Sequence, residues 1–279
     1  MWTWSRGGGS HGPFLRNEFW CDMNARVISD WARHAEDGEA AAFARFADGA
    51  GIAPESRDSF RRLCLLSQKA IVRGRGTMLR RGSDLPDYMK EPDNWMFVGW
   101  SRDDCLGGET QMKATMEGLI EDGLLDARLA EMEESVGIWR TIVSLADSIK
   151  CGDARTGEYI RTSARYGEAL HRVMWHGCAV VYKGYEARTR GTTRDEAAIA
   201  LHARAYDEAW ADLYMLKATR GECASLYCDE YPRYVPKSEA VPDGVTHMSG
   251  LGESVRRYRD PVARPRSGSD LTYTRGKAK

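Results

Sequence analysis

The sequence predicts a mainly α protein, an up-and-down helical bundle of long antiparallel helices preceded by a single β-strand. Three observations carry this. Apolar residues recur at steps of three and four through most of residues 109–221, short breaks bearing Gly and Asp divide those runs, and the first residues alternate between aromatic and polar.

The elements follow in order. Trp2 and Trp4 alternate with Thr3 and Ser5, the period-2 pattern of a half-buried strand, and Gly7-Gly8-Gly9 stops it. A lone strand cannot pair its own backbone groups, and nothing further along offers it a convincing mate. The expectation is therefore that the chain is the C-terminal piece of something larger. Asn17 suits a helix cap, and Glu18 in the first turn complements the helix dipole. Phe19, Trp20, Met23, Val27, Ile28 and Trp31 then mark the buried face of a helix reaching to about Glu36.

A short helix is expected over Ala40 to Ala47 and a longer one from Pro54 to about Arg73. Proline suits a first helical turn, and Phe60, Leu63, Cys64, Ser67, Ala70 and Ile71 share one side. Residues 74–108 lack helical periodicity and are rich in Gly, Pro, Asp and aromatics, the composition expected of a long loop that works as a lid, a binding element or a packed cap.

Beyond Gly108 the pattern is helical to Gly221. Leu125, Leu129, Met132, Val136, Trp139, Val143 and Ala146 form an a/d seam. A second long helix is expected from about Arg155 to Arg188 and a third from about Thr193 to Lys217. Cys151-Gly152-Asp153 and Arg190-Gly191-Thr192 turn the chain between them. From about residue 236 the chain is poor in large apolar side chains and rich in Pro, Gly, Ser and Arg, which predicts a disordered basic tail. Four units result: 1–37, the strand and the helix after it; 38–108, short helices and the aromatic-rich loop; 109–235, the long helices; and 236–279, the tail.

Several separated motifs resemble one family. Trp2-Thr3-Trp4-Ser5-Arg6-Gly7-Gly8-Gly9 with Gly12-Pro13 and Asn17-Glu18-Phe19-Trp20, then Arg61-Arg62-Leu63-Cys64-Leu65-Leu66-Ser67, Trp100-Ser101-Arg102-Asp103 and Tyr206-Asp207-Glu208-Ala209-Trp210 are similar to the C-terminal part of bacterial (β/α)8-barrel glycoside-hydrolase-like proteins. The likeness spans roughly residues 1–231 and lies in the order of the motifs. It implies that Trp2 to Ser5 is the last strand left over from a (β/α)8 barrel, that the helix from Asn17 closes that barrel, and that the rest is a helical appendage. Ser10 departs from the family where an aromatic is expected, and the Arg-rich tail is foreign to it.

In such barrels the active site lies over the C-terminal ends of the strands, and the paired carboxylates come from earlier strands. The parent is thus expected to be a glycosidase acting on a polysaccharide or oligosaccharide. This chain, without the N-terminal barrel, is expected to lack catalytic residues. Its candidate sugar-binding residues are Trp4 and Arg6 at the end of the strand, with Trp2 beside them, and Trp100, Arg102 and Asp103 in the loop. An indole stacks on a pyranose face and a guanidinium holds a hydroxyl or carboxylate. The alternatives stand beside these roles: the two N-terminal indoles pack between barrel and helices, and Arg102 and Asp103 form a bridge that pins the loop. A rival class altogether is a non-enzymatic helical protein-interaction module.

Composition narrows the other possibilities. With 40 basic and 41 acidic residues, the chain gives no global case for nucleic acid or an anionic membrane. Arg256, Arg257, Arg259, Arg264 and Arg266 in the tail read first as solvated charge. No apolar run is long enough to predict a membrane span, and a cytoplasmic location is the default expectation. Seven scattered cysteines without a CxxC pair read as reduced thiols, and the spacing of Cys223 and Cys228 is a weak zinc signal. Neither a metal nor a cofactor is expected. The helical carboxylates Glu131, Glu133, Glu134, Asp207, Glu208 and Asp212 lack a Glu-x-x-His companion. His171 and His176, five apart, do not share a helical face.

Overall fold

The computed structural model describes residues 18–74, 118–223, 255, 258 and 259. Among these the protein is mainly helical and contains no β-strand. The proposed strand at Trp2 to Ser5 lies outside the described residues.

Helix α1 spans Glu18–Arg33, and after a 3-10 turn at Ala35–Asp37 helix α2 spans Gly38–Gly49. Pro54 opens a second 3-10 turn, Pro54–Ser56, which runs into α3 at Arg57–Gly74. A helical turn at residues 118–121 precedes the three long helices: α4 over Leu125–Ser148, α5 over Ala154–Arg190 and α6 over Glu196–Cys223. At 1.5 Å per residue, α5 is about 55 Å long.

Local chemistry sets the helix boundaries. The Asp153 side chain accepts from the backbone N–H groups of Arg155 (3.2 Å) and Thr156 (2.9 Å) and from the Thr156 hydroxyl (2.7 Å), capping α5. Gly191, at φ +63° in the left-handed region, ends that helix. The Asp195 carboxylate accepts from the backbone N–H of Ala198 at 2.9 Å and starts α6. An isolated antiparallel bridge between Ile52 and Cys151 ties the α2–α3 turn to the break between α4 and α5. The backbone N–H of Lys150 donates to the Ser56 hydroxyl oxygen at 3.0 Å and strengthens the same tie.

Cross-helix contacts fix directions. Lys69 faces Glu134 and Arg73 faces Glu131. Arg140 faces Glu168 and Asp147 faces Arg165. Arg172 pairs with Asp212 and His176 meets His202. In each pair of helices the residue number rises on one as it falls on the other, so α3–α4, α4–α5 and α5–α6 contacts are antiparallel.

Two apolar cores result. The first centres on the aromatic rings of Phe19, Phe46, Phe60 and Tyr159, with Phe19 5.6 Å from Phe46 and 5.7 Å from Tyr159 between ring centroids. The second runs along α4, α5 and α6 through Met132, Val173, Val181, Tyr182, Ile199, Tyr206 and Leu213.

Val255 and Tyr258 join this second core, 1% and 5% exposed. At these residues the chain departs from a wholly solvated tail. Two apolar side chains three positions apart anchor it, in a stretch whose overall composition conceals them. Tyr258 lies against Gly184 of α5, where a Cβ would come within 2.8 Å of its ring. Arg194 donates to the Tyr258 carbonyl at 2.6 Å and to the Arg259 carbonyl at 3.1 Å. Arg259 in turn donates to the Ala203 carbonyl at 2.7 Å and pairs with Asp207 on α6.

Candidate functional site

The candidate sugar-binding residues Trp2, Trp4, Arg6, Trp100, Arg102 and Asp103 all lie outside the described residues. Within the described part, chemistry-bearing side chains collect at the middle of α5, on two sides of it. Five residues turn a helix by about 500°, so His171 and His176 point to opposite neighbours. His171 faces α3 and α4; His176 faces α6.

On the first side Arg128, Glu131, Ser135 and His171 are all buried. The Arg128 guanidinium donates to the carbonyls of Arg73 (3.3 Å) and Gly74 (3.1 Å), two of the acceptors that the end of α3 leaves without helical partners. Arg73 donates to Glu131 Oε1 at 3.1 Å and pairs with Glu134 at 3.2 Å. The Ser135 hydroxyl donates to the Ala70 carbonyl at 2.6 Å. His171 donates through Nδ1 to the Gly167 carbonyl at 2.8 Å, with the Trp139 ring 5.1 Å away. Burial pushes the Glu131 carboxyl upward, while Arg128 and Arg73 pull it back. Glu131 thus serves as the buried counter-charge of two arginines that fix the end of α3. The chain enters residues 75–117 from that fixed point.

On the second side His176 and His202 approach through their Nδ1 atoms, 3.0 Å apart. Trp175 stacks on His176, with centroids 4.2 Å apart and planes 30° from parallel, and meets His202 edge-on at 5.7 Å. Burial, first of all, and then His202, Arg172 and Arg140 hold His176 down to about 4. His202 is lowered by burial and by Lys183, and Glu133 opposes that. At neutral pH both rings are uncharged, and one Nδ1–H donates to the other ring's lone pair.

This has a pH consequence. In the unfolded chain His176 takes its proton near 6.5, whereas in the folded protein it does so only near 4. The stability contributed by the neutral ring is fully present above about pH 6.5 and is lost as pH falls through 4. After discounting for solvent screening at a half-buried pair, the loss is about 1–2 kcal/mol. Urea unfolding of the metal-free chain at pH 7.5, 5.5 and 4.5 reads it, and His176→Asn flattens the profile. Equal slopes in the two proteins would dismiss His176 as the source.

Among the described residues, Cys64 and Cys151 are poor nucleophiles. Burial pushes Cys64 far up and Cys151 up as well, and Cys178 is buried. A cavity of about 250 Å³ opens on α6, lined by residues that include Ile199, Ala203, Arg204, Asp207 and Arg259.

Sequence reasoning predicted that His171 and His176 face apart but missed the partner of each. The His176–His202 pair crosses 26 positions and a turn, so no local spacing announces it. Arg128, Glu131 and Ser135 fall on the buried side of the α4 seam, where they break the apolar pattern without naming a partner.

The fold and these assemblies define a mainly helical protein with polar clusters built between long helices. Compared with models of protein families, with curated proteins and with solved structures, the chain matches none. Among the described residues no helix is long and apolar enough to cross a membrane.

Proposed function

We propose that the chain is the helical accessory region of a larger glycoside-hydrolase-like, carbohydrate-active protein, holding neighbouring polypeptide in place at the edge of a sugar site. The observation that carries this reading is the ring cluster around Phe19. Phe19 is 2% exposed, Trp20 lies 4.9 Å from it, and both pack on Phe60 and Tyr159. Residues 1–17 thereby lead directly into a buried aromatic cluster at the first described turn. In this reading Trp2 to Ser5 supply the last barrel strand, and the helices form an up-and-down bundle behind it.

The family-like motifs within the described part support a structural role. Arg61 pairs with Glu39, Leu63 is buried, Tyr206 stacks on Trp210 at 6.0 Å, and Asp207 holds Arg259. The sugar class rests on the resemblance of these motifs and on the indoles at Trp4 and Trp100.

Affinity electrophoresis of the full chain through gels containing soluble polysaccharides tests the reading, together with turnover assays on aryl glycosides. The expected result is retardation by at least one polysaccharide, lost in Trp4→Ala and Trp100→Ala, without turnover. Robust turnover defeats the accessory assignment, and free migration in every gel defeats the sugar assignment.

A second reading, a helical protein-interaction module, is favoured by the seating of Val255, Tyr258 and Arg259 across α5 and α6. That contact is a peptide segment held by buried apolar anchors and backbone hydrogen bonds.

A further inference from the structure

We infer that His176 and His202 form a two-imidazole site for a transition-metal ion of the Zn²⁺, Ni²⁺ or Cu²⁺ class. The inference stands on the geometry of the pair and is independent of the accessory reading above.

The separation of the donor atoms is the first argument. Two nitrogens bound to one ion at about 2.0–2.1 Å, at angles between square-planar and tetrahedral, lie about 2.9–3.4 Å apart. The two Nδ1 atoms are 3.0 Å apart already. Imidazole is the common ligand for this class of ion.

Pre-organisation is the second. The rings come from different helices, yet one side chain orients both: Trp175 stacks on His176 and meets His202 edge-on. Both histidines are only half-buried, so an ion has a path to them.

The local charge permits a cation. Arg172 is offset by Asp212 at 2.7 Å and Arg140 faces Glu168 at 3.7 Å, while Lys183 and Glu133 act on His202 with opposite sign. Among the described residues no group of three His, Cys, Asp or Glu side chains gathers to hold an ion. The pair is therefore an open site, and water fills the remaining positions.

Binding needs both rings as Nε2–H tautomers. The Nδ1 proton shared in the metal-free pair moves to Nε2 of its own ring through solvent, and each Nδ1 lone pair goes to the ion. The charge on the rings does not change.

The test uses the full chain under reducing conditions with Zn²⁺ and Ni²⁺ by titration calorimetry, and with Co²⁺ by absorption. One ion per chain is expected. Either His176→Asn or His202→Asn weakens its binding by about 100-fold or more, at least the upper range for losing even an outer-shell partner. The exposed His34→Asn leaves binding unchanged. Unaltered affinity in both site variants, or an intense thiolate-to-cobalt band, places the ion elsewhere and overturns the site. If a variant does not fold, nitrogen-15 spectra of the unmodified chain decide. Zn²⁺ must shift the Nδ1 signals of these two rings, and unshifted signals at saturating Zn²⁺ refute the inference.

Discussion

Arg128→Met lowers the stability of the protein by about 3–5 kcal/mol, the cost of removing one partner from a buried ionic group. The side chain is 4% exposed, and its guanidinium serves two carbonyls at the end of α3 while helping to neutralise Glu131. Methionine keeps the apolar stem but stops short of the guanidinium, so the loss is mainly electrostatic and hydrogen-bonding in origin, with a small void added where the planar head lay. Two α3 carbonyls lose their donor, and Glu131, already pushed upward by burial, keeps only Arg73. Urea denaturation monitored by circular dichroism measures the change. The double variant Arg128→Met/Glu131→Met recovers much of the loss, because exchanging a whole buried ionic group for apolar side chains is often close to neutral. A double variant as unstable as the single one would show that the carbonyl contacts, and not the stranded carboxylate, carry the effect.

Phe60→Ala costs a similar amount, about 3–5 kcal/mol, by a different route. Phe60 is 0% exposed and its ring lies 6.0 Å from Phe46, 6.2 Å from Trp20 and 6.3 Å from Phe19. Truncation leaves a void among rings contributed by α1 and α2, which cannot both collapse into it together. Against a total stability of about 5–15 kcal/mol, this is a large fraction. Amide exchange locates the damage. Protection falls first in α1, which the described structure ties down largely through Phe19, Trp20, Met23 and Val27. A loss below about 1 kcal/mol, or unchanged protection in α1, would mean that the ring cluster does not hold that helix.

The two predictions depend on features that differ in how far the sequence discloses them. Phe60 was readable, because it falls on the apolar side of a helix with a proline start, and its burial follows from spacing alone. The breaks at Cys151-Gly152-Asp153 and Arg190-Gly191-Thr192 were readable for a similar reason: an aspartate cap and a left-handed glycine act within their own turn. The helix expected from about Thr193 starts at Glu196, where Asp195 supplies the capping oxygen. Arg128 was not readable. An arginine on the a/d seam side looks like an error in the pattern until the α3 carbonyls opposite it are known. The His176–His202 contact depends on the register between α5 and α6, which is set by the turn at Gly191 and by many apolar contacts at once. The candidate sugar residues, from Trp2 to Asp103, rest on composition and resemblance and lie outside the described residues.

The seat of Tyr258 carries an implication for the order of events during synthesis. Gly184 of α5 receives its ring, while Ala203 and Asp207 of α6 receive the next residue, so the seat exists only after those two helices have closed on each other. Ribosomes deliver the chain from its amino end, and docking so distant in sequence must wait for the intervening loop to close. Val255, Tyr258 and Arg259 thus lock only after α5 and α6 have met. A nascent chain halted short of residue 255 leaves the Gly184 seat open to water, and filling it marks the completed hairpin.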